Sequence, residues 1–144
     1  MAYIPDLSPC EYFGAAHSSG LVAVGWLEKG HEFTKADVDA EFTAKLVEIA
    51  KDPWQPVHFA GPHACEFCRI SKIGGVANLF VPAEGFLYVA PSLIVHYVDA
   101  HEYAPPAAFQ RAVVACPRMR SMEYLKAILK NGPKGLIASG GRHG

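Results

Sequence analysis

Several common catalytic signatures are missing from this sequence. It holds no His-Glu-x-x-His, no phosphate-binding glycine loop and no Gly-x-Ser-x-Gly elbow, so zinc-protease, nucleotide-hydrolase and serine-hydrolase readings have no footing. The His-x-Glu element that precedes Pro-Cys-x-x-Cys in zinc deaminases is also lacking. Long apolar runs are absent too: the stretch Gly85 to Val98 is interrupted by Pro91, Ser92 and His96, and it is shorter than the roughly 18 apolar residues a spanning helix needs. The segment Met1-Ala-Tyr-Ile-Pro-Asp6 has neither the basic start nor the apolar core of a secretory signal, and no lipidation motif is present. A cytoplasmic protein without a membrane partner is therefore expected. Cysteine is scarce at four residues, and two of them stand too close together for an ordinary disulfide staple.

What is present suits a globular chain. Hydrophobic residues make up 51% of the 144 and charged residues 19%, enough to bury one core and too apolar for wholesale disorder. Net charge is only -1, but it is unevenly spread. Residues 1–104 carry 6 basic and 13 acidic side chains, and residues 105–144 carry 7 and 1. The basic set is Arg111, Arg118, Arg120, Lys126, Lys130, Lys134 and Arg142. Such a region either contacts nucleic acid or an acidic partner, or forms a solvated helix face.

The pattern of apolar residues predicts an α+β fold: a small antiparallel sheet with one helix before it and three after it. Leu21 to Leu27 reads as the first strand. Thr34, with Asp37 three residues on, predicts a helix start, and Val38, Phe42, Leu46 and Ile49 continue the helical spacing to the Asp52-Pro53 stop. Short apolar runs separated by glycine then predict a strand meander, at Val57-Phe59, Phe67-Ser71, Val76-Val81 and Phe86-Val89. Pro91 opens a helix that carries Leu93, Ile94, Tyr97 and Val98 toward His101. Two further helices are expected, Pro106 to Ala115 with Phe109 and Val113 inward, and Ser121 to Lys130 with Met122, Leu125 and Ile128 inward.

Chemistry concentrates in two segments. Gly61-Pro62-His63-Ala64-Cys65-Glu66-Phe67-Cys68 has the form of a zinc knuckle between strands, where two thiolates two residues apart grip one ion. Paired cysteines need partners, and His96 and His101, at His-x4-His spacing, can complete a Cys2His2 set. His63 is a reserve ligand. Thiolate and imidazole together favour Zn2+ over magnesium or calcium. Geometry imposes one condition: residues five apart on a straight α-helix point about 140° away from each other. One histidine must therefore sit on a distorted last turn, which the Pro105-Pro106 break makes available. The alternatives are an unligated thiol pair or a redox dithiol, though the motif does not open a helix as redox dithiols do. Residues 1–132 then form a single zinc-binding domain, and glycine-rich residues 133–144 a flexible tail. Cys10 and Cys116 read as buried thiols.

Four ligands would fill the ion's coordination, so a structural zinc is expected, in a module that binds another protein as an accessory or immunity factor. A small zinc-dependent hydrolase using Glu66 or Glu102 as proton carrier is the alternative, and a nucleic-acid binder using the basic C-terminal region is a third.

The segments Pro5-Asp6-Leu7-Ser8-Pro9, Val24-Gly25-Trp26-Leu27 with His31 and Phe33, His63-Ala64-Cys65-Glu66-Phe67-Cys68, and Leu93-Ile94-Val95-His96-Tyr97-Val98 through His101, Tyr103, Pro105 and Pro106 resemble a family of uncharacterised small bacterial proteins. The resemblance implies a bacterial cytosolic protein and brings no established catalytic residues. Relatives often have tyrosine where this chain has Cys10, so the resemblance gives Cys10 no ligand role. His31 reads as a surface-loop histidine.

Overall fold

The computed structural model describes residues 3–10, 20–55, 63–68, 74–75 and 77–133. Nine elements follow one another among them: β1 (Leu21–Ala23), α1 (Ala40–Lys51), β2 (His63–Ala64), β3 (Gly74–Gly75), β4 (Asn78–Pro82), β5 (Leu87–Pro91), α2 (Ile94–His101), α3 (Ala107–Ala115) and α4 (Met122–Asn131). The α+β class holds. A three-stranded sheet in the order β1-β5-β4 forms the centre, and β2 and β3 form a separate antiparallel pair.

The sheet is mixed. β4 and β5 are an antiparallel hairpin, as close glycine-separated runs predict, whereas β1 adds to β5 in parallel, with Leu21 opposite Leu87 and Ala23 opposite Val89. Parallel pairing needs a long crossover, and α1 lies within it. Every residue of β5 is buried, which explains why its sequence is a continuous apolar run rather than an alternating one.

Asp6 ties the segment just after β1 to the segment just after α2. Its Oδ1 accepts the Gly25 N–H at 3.0 Å and its Oδ2 accepts the Tyr103 hydroxyl at 2.7 Å. Gly25 has φ +81°, and a Cβ there would lie 2.8 Å from Ile94 Cδ1, so only glycine lets α2 pack this closely. Trp26, fully buried, donates its indole N–H to the Val89 carbonyl at 3.0 Å.

Several boundaries differ from those read in the sequence. β1 stops at Ala23, and Trp26 instead bridges to Ile4. α1 begins at Ala40, not near Thr34, because residues 34–36 are extended: Thr34 accepts the Ala104 N–H at 2.9 Å, Ala36 donates to Glu102, and Lys35 bridges Tyr103. Tertiary pairing thus overrides a local capping signal. Phe42, Leu46 and Ile49 do face the core. Pro91 ends β5 rather than opening α2, and of the strand expected at Phe67-Ser71, Phe67 lies in a turn while residues 69–71 lie outside the described residues. On α4 the inward residues are Tyr124 and Ile128, and Met122 is 65% exposed. The expected strand at 57–59 lies outside the described residues, as do residues 134–144 of the expected tail.

Candidate metal centre

Two pieces of chain meet at the site. The first is the turn at Glu66 and Phe67 that follows β2, with Cys65 and Cys68 on either side. The second is α2, which carries His96 in its first turn and His101 as its last residue. Phe67 fixes the first piece in place: its ring lies edge-on to Phe33 at 5.4 Å and to Tyr97 at 5.9 Å, and tilted against His101 at 5.5 Å. The apolar residue between the ligands is therefore the anchor that points both sulfurs at the helix.

The end of α2 resolves the 140° problem. Glu102 adopts a left-handed conformation, φ 59°, and the capping N–H there bonds back to the Tyr97 carbonyl. The Tyr103 N–H reaches that same carbonyl at 3.2 Å. Both bonds close over more residues than the four of an α turn, so the last turn is wound more loosely, and looser winding brings a residue five along back toward the same face. The His96 and His101 rings consequently stand 5.0 Å apart, centroid to centroid.

The four candidate atoms converge. Cys68 Sγ lies 3.1 Å from His96 Nε2 and 3.4 Å from His101 Nε2, and Cys65 Sγ lies 3.4 Å from His101 Nε2. All four ligand atoms fall within 4.8 Å of one another. Cys65, Cys68, His96 and His101 are positioned to hold a metal ion.

Electrostatics agree with that geometry. Burial, then a hydrogen bond donated to Cys65 and the repulsion of its charge, raise the Cys68 pKa above the ordinary thiol value. Burial, then His96 and Lys35, lower that of His101. Two thiols crowded together resist a second negative charge, and two imidazoles crowded together resist a positive one. A bound cation relieves the first and needs a neutral imidazole, which the second favours at His101.

Other residues singled out in the sequence fall elsewhere. Glu66 is exposed, and its Oε1 accepts the Lys29 N–H at 3.4 Å. Glu102 is the cap residue of α2. A groove of about 500 Å3 between α1 and α2 reaches His96, but neither Glu66 nor Glu102 lines it. His63 is in β2, its backbone opposite Gly75, and its side chain lies outside what is described. His31 is on the surface, stacked on Tyr3 at 3.8 Å. Cys10 and Cys116 are buried, and burial pushes the Cys116 thiol up to about 11, with Lys45 opposing, so it stays protonated at neutral pH. In the basic region Arg120 forms two bonds to Asp52, at 2.9 and 3.1 Å. Phe67 and Tyr97 are the site residues that spacing alone missed; an aromatic between two cysteines was the available signal for Phe67.

No curated protein and no solved structure matches the chain. A family model does match residues 2–114, a span that includes Asp6, Gly25, Trp26, all four candidate ligands and Tyr103 and leaves α4 outside. The residues that tie the fold together and those that converge on the site thus fall inside one matched span, and the chain belongs to the family of the domain of unknown function DUF7919.

Proposed function

We propose that the protein binds one Zn2+ through Cys65, Cys68, His96 and His101, that the ion is structural, and that the protein serves as a cytoplasmic protein-interaction module of accessory or immunity type. The observation that carries the zinc assignment is the spacing of the four atoms. Zinc bonds of about 2.3 Å to sulfur and about 2.0 Å to nitrogen at tetrahedral angles demand S···N edges of about 3.5 Å. Three of the four S···N separations are 3.1 to 3.4 Å, and all four ligand atoms lie within 4.8 Å of one another, close to the edges that a loaded site needs. The donor set, two thiolates and two imidazoles, is that of closed structural zinc sites. A thiolate pair also suits a reducing compartment.

A structural role follows from the number of protein ligands, because four leave no open position for a water or a substrate. The absence of Glu66 and Glu102 from the groove beside His96 counts in the same direction. An ion that joins the Cys65–Cys68 turn to α2 contributes folding free energy on the order of 10 kcal/mol in small zinc domains. Chelation is therefore expected to lower the melting temperature steeply, and Cys65→Ser or His96→Ala to abolish stoichiometric zinc in elemental analysis. Unchanged melting after complete metal removal would refute the structural role.

A further inference from the structure

The two most exposed large hydrophobic side chains among the described residues share one helix. Met122 is 65% exposed and Leu129 64%, and both belong to α4. Single exposed apolar side chains are ordinary on a protein surface. These two stand seven residues apart, about 10 Å along the axis and within about 20° of one another around it, so they form a strip. The inward face of α4 is turned the other way, carrying Tyr124 and Ile128 into the core. A second strip runs beside the first. It holds Glu123 in the first turn, then Lys126, and Lys130 in the last turn, all exposed and none of them in an ion pair among the described residues. At about 100° per residue, the outward face of α4 has Met122 and Leu129 along one edge, Glu123 and Lys130 along the other, and Lys126 between.

We propose that this face of α4 docks against α4 of a second copy of the chain, as an antiparallel two-fold pair. Symmetry and charge select that occupant. A parallel two-fold pair would set the apolar strip of each helix against the charged strip of the other. In an antiparallel pair each strip meets its own copy run in reverse, so Met122 faces Leu129 of the second copy and Glu123 falls between Lys126 and Lys130 of the second copy. Apolar then meets apolar, and acid meets base at both ends. The signs of Glu123 and Lys130 also suit the helix dipole, but the dipole gives no reason for the apolar strip beside them. An anionic membrane would favour the lysines and oppose Glu123, which lies in the same strip. The contact is short: the ten residues of α4 span about 15 Å, so the pair buries less than the roughly 1,200 Å2 of a stable interface and forms only at high concentration. No metal-site ligand lies on α4, and the pair stands or falls independently of the zinc reading.

Sedimentation equilibrium of the full chain, kept reduced and at low salt, tests this. The average mass should climb from 15.6 kDa toward twice that value as the protein concentration approaches the order of 1 mM. Leu129→Ser should weaken the association about tenfold, because the two-fold axis applies the loss twice. Glu123→Lys makes the charged strip wholly basic, and Lys126→Glu with Lys130→Glu makes it wholly acidic. Each of these variants should stay monomeric alone, and an equimolar mixture of the two should pair again. A wild-type mass that stays at 15.6 kDa throughout would overturn the proposal, and binding of that monomer to vesicles containing phosphatidylserine would give the face to a membrane instead. Self-association that Leu129→Ser and both charge variants leave unchanged would place the contact on another surface and overturn the α4 pair as well.

Discussion

Thiols bind a metal ion only after losing their protons, so each residue of the site sets its own pH dependence. Cys68 has its pKa raised above the ordinary 9.0 by burial and by Cys65, and its proton is therefore still present at neutral pH. His101 has its pKa lowered from 6.5 by burial, His96 and Lys35, and it is neutral there. Binding at neutral pH then releases the Cys68 proton and none from the imidazole of His101. Apparent zinc affinity should rise at least about tenfold per pH unit between roughly pH 7 and 8.5, as that proton is released. A chelator-competition titration across that range checks it, and an affinity that stays flat with pH would contradict it. The ligands were legible as residue types at suitable spacing. Phe67 and Tyr97 were not, because their roles arise from contacts between segments about thirty residues apart. Gly25 was visible only as part of a recurring motif, and its reason is the 2.8 Å approach of Ile94 to any added Cβ. Gly25→Ala should destabilise the fold by about 2–4 kcal/mol, combining left-handed backbone strain with overpacking, as read by the urea midpoint.

Among the elements, α2 decides whether the histidines can cooperate. A straight helix would hold them on different faces, and the loosened turn at Glu102 is kept in place by the extended segment 34–36, which pairs with residues 102–104. That pairing also explains why a capping pattern at Thr34 fails to start α1: local sequence signals yield where the backbone is engaged elsewhere. α4 shows the opposite outcome. Ser121 caps it as its sequence suggests, accepting the Tyr124 N–H at 3.1 Å, and Ser121→Ala should cost about 1 kcal/mol in thermal or urea unfolding. Of its expected inward residues, Ile128 is buried and Leu125 packs against the core, whereas Met122 is exposed. Tyr124 rather than Met122 turns inward because its hydroxyl reaches the Phe80 carbonyl at 2.7 Å, a bond no helical periodicity reveals. The Arg120–Asp52 pair that links the α4 approach to the end of α1 is exposed on both sides, and exposed pairs contribute at most about 1 kcal/mol.

Across the whole molecule, the sheet β1-β5-β4 and the Asp6 bonds to Gly25 and Tyr103 hold the beginning of the matched span against its end. The class of fold and the two antiparallel strands could be read from apolar runs and glycine breaks. The parallel addition of β1 could not, because nothing local distinguishes a strand's eventual neighbour. The candidate centre joins the Cys65–Cys68 turn to α2, so one ion would cross-link regions that otherwise meet through the Phe67 aromatic contacts. X-ray absorption at the zinc edge on the purified protein tests this most directly. The expected result is one zinc per chain with two sulfurs at about 2.3 Å and two nitrogens at about 2.0 Å; a metal-replete preparation with no bound zinc, or with a zinc shell lacking sulfur, would rule out the Cys65, Cys68, His96 and His101 centre.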